Sequence, residues 1–165
     1  MDKRMFFIKP QIPEKISALG DLAFNIWTTW DKDAEKLFHR LDPQMFRAVH
    51  HNPVEQIYRL KKSKFDEAAK DKGFLYELAS VKDKYDQYMS YEGTYTIDGK
   101  EKAFSKDDVV AYLCMEYGLH GCLPTYSGGL AVLAGDLLKA ASDIGITMVG
   151  FGLMYRYGYF NQHIS

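Results

Sequence analysis

Only two cysteines, Cys114 and Cys122, occur in 165 residues, too few for a disulfide scaffold. Cys114 lies in an apolar run and reads as a small buried hydrophobe. Excess charge of either sign is also missing. Lys and Arg number 21 against 22 Asp and Glu, a net charge of −1, which gives no electrostatic case for nucleic acid or an anionic membrane surface. No apolar run approaches the ~18 residues of a membrane span. Near the N-terminus, Lys3 and Arg4 precede an apolar stretch of only Met5 to Ile8, too short for a secretory signal. With no targeting signal, the expected location is cytoplasmic. Metal-ligand spacing is absent among His39, His50, His51, His120 and His163. There is no Walker loop, no GxGxxG and no legible Ser/His/Asp constellation. Internal repeats and low-complexity tracts are absent as well.

What the chain does hold is apolar mass. Hydrophobic residues make up 47%, and ten Phe, twelve Tyr and two Trp bring aromatics to 15%. Large rings supply the burial that offsets chain entropy, so the chain is expected to fold. Its length fits one domain, or a small domain joined to part of another. Composition shifts near residue 93. Residues 1–92 read as a helical leader, and residues 93–165 as a hairpin followed by the first βαβ part of a Rossmann-like parallel sheet. The fold class is α/β.

In the leader, Met5 to Lys9 is a possible short strand, ended by Pro10 and Pro13. Ile16, Leu19, Leu22, Ala23, Ile26, Trp27 and Trp30 trace one face of a helix of about four turns. Trp27 and Trp30 can in principle stack on sugar rings, but helical spacing among apolar neighbours favours core packing. Asp31 is placed to cap a second helix with Ala34, Leu37, Phe38 and Leu41 on its apolar face. Asp42-Pro43 and Asn52-Pro53 repeat one signal, a capping side chain followed by proline at the first helical position. Ser63 is placed to cap a further helix, and a last one runs from Phe74 to about Tyr91. The adjacent His50 and His51 would diverge on a helix, in surface or packing roles.

In the second part, Asp98-Gly99 between Tyr95-Thr96-Ile97 and polar residues signals a hairpin over 94–103. Val109 to Met115 is continuously apolar and reads as a strand buried on both faces. A loop over 118–128 leads to a helix whose expected apolar face is Leu130, Leu133, Ala134, Leu137, Leu138, Ala141 and Ile144, stopped at Gly145. Ile146 to Gly152 forms the second strand. The order β–loop–α–β implies parallel strands. So few strands leave edges unpaired and apolar faces exposed, so the isolated chain is expected to be marginally stable or to self-associate through that edge, and a homodimer is among the expected partners.

Chemistry concentrates at Ser127-Gly128-Gly129-Leu130, where the second-half helix begins. A helix N-terminus presents unpaired N–H groups and partial positive charge, and two glycines let a ligand come close to that backbone. Phosphate or a sugar phosphate is the natural guest. The same two glycines also suit a plain tight turn. Glu116 follows the first strand at its carboxyl end, where open α/β sheets place ligand-binding groups. It can orient a sugar hydroxyl, orient the loop, or serve as a structural acceptor. His120 is the one histidine near this region. Lys139, between Leu138 and Ala140, reads as part of a solvated face.

Several segments resemble the N-terminal domain of α-glucan (glycogen-type) phosphorylases. They are Tyr126-Ser127-Gly128-Gly129-Leu130, Ala134 to Gly145, Gly150 to Gln162, and Tyr112-Leu113-Cys114-Met115-Glu116-Tyr117-Gly118-Leu119. Asn25-Ile26-Trp27, Leu37 to Pro43 and His51-Asn52-Pro53-Val54 are similar to the helical leader of the shorter prokaryotic branch. The resemblance implies a GT-B type glycosyltransferase that cleaves α-1,4-glucan with phosphate to give glucose 1-phosphate. It implies pyridoxal phosphate as cofactor, used through the cofactor's own phosphate. It also implies that Ser127, Gly128, Gly129 and Leu130 face sugar and phosphate. The family's cofactor lysine and basic phosphate-binding residues belong to a C-terminal domain with no counterpart here, so the chain alone is expected to be inactive. Gly118 stands where the family's tyrosine is expected, and contacts made through that segment do not carry over. Two rival readings are a nucleotide-sugar-dependent glucan synthase and a stand-alone carbohydrate-binding or interaction module. The synthase is disfavoured because the first strand starts only at Val109.

Overall fold

The computed structural model describes residues 10–91, Thr96–Ile97, Lys100–Glu101 and residues 108–155. The expected Met5–Lys9 strand, the Asp98-Gly99 turn and most of the Gly150–Gln162 segment lie outside the described residues. The described residues form two compact units, one up to Gln87 and one from Tyr88 onward. The protein is mostly helical with a small parallel sheet, an α/β chain. No helix among the described residues is long and apolar enough to cross a membrane.

Side-chain caps decide where the helices of the first unit begin. Asp31 accepts from the N–H groups of Asp33 and Ala34 at 3.1 and 2.9 Å, opening α2 (Lys32–Leu41). Asp42 does the same for α3 (Pro43–Ala48) through Gln44 and Met45. Asn52 opens α4 (Pro53–Arg59) by accepting from Glu55 N–H at 3.0 Å. Each such cap is worth about 1 kcal/mol. Pro43 and Pro53 fit because a first-turn N–H would lack an intrahelical partner anyway.

Three expectations are corrected in this unit. The single helix over Ile16–Trp30 is broken into a 3-10 turn (Glu14–Ile16), α1 (Ala18–Phe24) and a second 3-10 turn (Ile26–Thr29). Asn25 causes the break: its backbone is extended and its side chain accepts from Trp27 N–H at 2.9 Å, competing with helix continuation. Ile16, Leu19, Leu22, Ala23 and Trp27 are buried all the same. Ser63 caps nothing: α5 (Lys62–Ala68) starts one residue earlier, after extended backbone at Leu60 and Lys61, with no side-chain cap. His50 and His51 are not helical. Both have positive φ, 51° and 60°, in the turn after α3, and the His51 ring stacks on Phe46 at 4.7 Å.

The core joins Phe38, Phe65, Phe74, Leu37 and Ile57 to the α1 residues. Trp27 is buried and packs against Tyr85 of α6 (Lys72–Ser90), ring centroids 5.4 Å apart. Gln56 is fully buried. Its Nε2 donates to Phe38 O at 2.9 Å and Asp42 O at 3.2 Å, tying α4 to the end of α2.

In the second unit, β1 (Thr96–Ile97) pairs antiparallel with β2 (Lys100–Glu101). β3 (Val110–Leu113) pairs parallel with β4 (Met148–Phe151), Val110 opposite Met148 and Leu113 opposite Phe151. α7 (Gly128–Asp143) connects them. Two expectations are corrected here, the second only in part, since Ala134 and Ala141 of the expected α7 face are buried. β3 is not buried on both faces: Val109, Leu113 and Met115 are exposed. In a two-stranded sheet each strand is an edge, and these side chains meet no covering layer among the described residues of the unit. In α7 the buried residues are Ala131, Ala134, Gly135 and Ala141, whereas Leu130, Leu133, Leu137 and Ile144 are exposed, Leu133 by 67%. Small residues let the helix backbone approach the neighbouring chain, so they form the contact and the leucines fall outside it.

Candidate functional site

The candidate site lies on the chain between β3 and α7. Cys114 Sγ donates to Glu116 O at 3.1 Å. Tyr117 is buried, its ring beside Gly150 and Gly152 of the second strand segment. Its hydroxyl donates to Tyr112 O at 2.5 Å and lies 3.2 Å from Phe151 O, on both parallel strands. Burial pushes the phenol pKa up, so the neutral donor form is kept. Sequence reading missed this lock. Its signal was available: Gly150 and Gly152, two apart on one strand, leave room on one face for a ring.

After Tyr117 the loop is stapled at each step. Thr125 Oγ1 donates to Tyr117 O at 2.9 Å, and Tyr117 N–H to Thr125 O at 3.2 Å. Gly118 N–H donates to Ala131 O at 2.7 Å, so the loop backbone lies directly on α7. A Cβ at Gly118 would come within 3.0 Å of Val132 backbone atoms, and one at Gly135 within 2.2 Å of Gly118 O. Two glycines facing each other permit this crossing. The tyrosine expected at position 118 from the family resemblance could not fit it.

This crossing brings Glu116 to the start of α7. Its Oε2 accepts from Ser127 N–H at 2.5 Å. This bond places the Glu116 carboxylate at a helix start, where the dipole favours negative charge, and it fits both loop orientation and a structural acceptor. Ser127 is extended and makes no side-chain cap. Gly128 has φ +72°, a left-handed conformation that favours glycine, whereas Gly129 does not. The space where a Cβ would project from either residue is empty to 4 Å. Leu130 is exposed. Ser127, Gly128, Gly129 and Leu130 are thus contiguous at the open end of a 16-residue helix, with Glu116 beside them.

His120 turns to a different partner, its Nδ1 lying 3.0 Å from Cys122 Sγ. Lys139 lies eleven residues along α7 from Gly128, about 16 Å at the helical rise. These groups do not by themselves fit pyridoxal phosphate. Among the described residues no amine is shown beside the glycine pair to hold an aldehyde, and Glu116 places a carboxylate next to any phosphate bound there. What the arrangement supplies is a helix start whose first N–H groups have no intrahelical partner, with open space beside the two glycines, suited to the hydroxyl oxygens of a sugar.

A family model described as "Protein of unknown function (DUF3417)" matches residues 12–123. The chain belongs to this family. Curated relatives extend the likeness past residue 123. The maltodextrin phosphorylase of Thermococcus litoralis is 42% identical over 160 residues, 96% of this chain and 18% of the relative. The glycogen phosphorylase of Mycobacterium tuberculosis is 36% identical over 98% of this chain and 19% of the relative. That of Aquifex aeolicus is 38% identical over 92% of this chain and 21% of the relative. The chain therefore spans about one fifth of the curated relatives it matches. No solved structure matches it.

Proposed function

We propose that this chain is the N-terminal part of an α-1,4-glucan phosphorylase of the GT-B type, which releases glucose 1-phosphate from glycogen or maltodextrin with inorganic phosphate. The observation that carries this is the 36–42% identity to maltodextrin and glycogen phosphorylases over 92–98% of the chain. The Gly128-Gly129 pair supports it, because a helix start leaves its first N–H groups without intrahelical partners, and open space where side chains would project lets a ligand's oxygens approach that backbone. Ser127, Gly128, Gly129 and Leu130 form the ligand-facing loop, and Glu116 is its positioning residue. The pyridoxal phosphate of such an enzyme would be held by residues outside these 165, in a C-terminal domain. The whole enzyme would be cytoplasmic, with a homodimer as a possible assembly, and this part alone would be inactive.

Gly129→Ala tests the loop assignment in the longer polypeptide that carries this segment. The added methyl meets nothing within 4 Å and φ is not positive, so folding should be unaffected. A methyl in front of the donors should lower kcat/KM for glucose 1-phosphate release by about 10²–10³ if a reacting oxygen sits there. A change below about threefold with unchanged melting would make the loop a structural turn only.

A further inference from the structure

The two cysteines of the chain meet opposite partners. Both are free thiols and both are half-buried, so access alone does not separate them. Cys114 Sγ donates to the backbone oxygen of Glu116 at 3.1 Å. A carbonyl can hold a thiol proton in a hydrogen bond but is too weak a base to take it. Cys122 Sγ instead lies 3.0 Å from His120 Nδ1. Imidazole is the side chain that exchanges protons near neutral pH, so it can accept one from sulfur.

The backbone fixes the form of the ring that faces the sulfur. Cys122 N–H donates to the same Nδ1 at 3.2 Å. A backbone N–H can only donate, so Nδ1 carries its lone pair and the ring proton sits on Nε2. That lone pair is what a thiol proton needs. A tight turn keeps the two groups together, with Leu123 N–H donating to His120 O at 3.0 Å. Gly121, between them, is exposed, and a Cβ there would meet nothing within 4 Å among the described residues, so one side of the turn is open to an approaching molecule. The chain on both sides is anchored, by Gly118 N–H on Ala131 O before the turn and by Thr125 on Tyr117 after it.

We propose that Cys122 is a site of reversible thiolation by small disulfides, with His120 as its base. His120 Nδ1 takes the thiol proton, and the Cys122 thiolate attacks one sulfur of a disulfide such as oxidised glutathione. A bond forms from Cys122 to that sulfur as the disulfide's own bond breaks. The released thiolate leaves and takes up the proton from His120. Cys122 is oxidised and the departing half of the disulfide is reduced, so no further co-reactant is needed. The thiolate is the nucleophile in this exchange, and a neighbouring imidazolium stabilises it. Cys114, facing a carbonyl, has no such help. This chemistry is independent of the phosphorylase reading.

The test incubates the 165-residue chain with oxidised glutathione at pH 7 and follows mixed-disulfide formation at each cysteine by peptide mass spectrometry. Cys122 should react at least about threefold faster than Cys114. In urea the two rates should come within about twofold of each other, because unfolding removes both partners. His120→Asn keeps an acceptor near the Nδ1 position for the Cys122 N–H, as an Asx turn does, but supplies no base. It should slow Cys122 by at least about threefold and leave Cys114 at its native rate, which also shows that the fold persists. Should both thiols instead rise to their urea rates in that variant, the native ratio of the parent decides alone, at the same threshold of about threefold. Iodoacetamide, an uncharged alkylating probe, should rank the two cysteines in the same order, which separates activation of the thiol from attraction to the charges of glutathione. Equal native rates at the two cysteines, a Cys122 rate undiminished by His120→Asn, a preference for Cys122 that persists in urea, or a reversed order with iodoacetamide would each overturn the assignment.

Discussion

Replacing Gly135 by alanine should loosen α7 from the Glu116 loop, although the same change favours an isolated helix. A Cβ there would lie 2.2 Å from Gly118 O, 2.6 Å from Gly118 C and 3.2 Å from Leu119 N. All three are backbone atoms with no rotamer to move into. Carbon–oxygen contacts normally sit near ~3.3–3.6 Å, so helix and loop must part by about 1 Å. Overpacking of this kind costs about 1–3 kcal/mol. Separation also weakens the Gly118 N–H bond to Ala131 O, now 2.7 Å long, a further ~1 kcal/mol. The gain in helix propensity returns about 1 kcal/mol. The net expectation is a loss of about 1–3 kcal/mol, confined to the second unit. Native-state amide exchange reads it directly: α7 amides should exchange about 5- to 150-fold faster. Fluorescence of Trp27 and Trp30, both in the first unit, should show an unchanged urea transition. Gly20→Ala is the control of opposite sign. Its Cβ would meet only Ile12 Cδ1, at 3.9 Å, inside α1, so the first unit should gain up to ~1 kcal/mol. Protection of α7 in Gly135→Ala at or above the parent level would refute the close-approach argument.

Two further predictions concern the first unit. The N–H of Phe74, with further help from Arg40, holds the Asp71 carboxyl below its usual range. A depressed folded value means stability present above the ordinary carboxyl pKa of ~3.9 and lost as pH falls through the lower value. Asp71→Asn should therefore lower the urea midpoint at pH 7, and the gap to the parent should narrow as pH falls from 7 to 3. An equal gap at both pH values would sink this assignment. Gln56→Ala should destabilise the first unit by about 2–4 kcal/mol, because it leaves a cavity and strips two carbonyls, Phe38 O and Asp42 O, of their donor. A loss below ~1 kcal/mol in a urea titration would mean that these carbonyls find other donors.

Local signals were legible in the sequence and longer-range ones were not. Asp31, Asp42 and Asn52 each act on N–H groups two or three residues ahead, so position in the chain is enough to assign them. The break at Asn25 is also local, yet it stayed hidden. A 3-10 turn keeps a three-residue spacing, so Trp27 still faces the core and the apolar pattern runs on through the break. Glu116 could be placed at the end of a strand, but its bond to Ser127 spans eleven residues and depends on the loop crossing α7 at Gly118.

The misreading of α7 and the geometry of the site have one cause. Hydrophobic periodicity puts Leu130, Leu133, Leu137 and Ile144 on one face with Ala134 and Ala141, because it weighs transfer from water and ignores distance; the two alanines are buried as expected and the four larger residues are not. Contact distance decided otherwise. The Gly118 carbonyl passes so close to α7 that any side chain at Gly135 would strike it, and only the small face of the helix accepts such an approach. That approach carries Glu116 onto Ser127 N–H. The first donor of the helix start is thus taken by a carboxylate, Gly128 is at φ +72°, and side-chain space beside Gly128 and Gly129 stays open. The alanines and glycines that weaken α7 as an amphipathic helix are therefore the residues that aim its N-terminus.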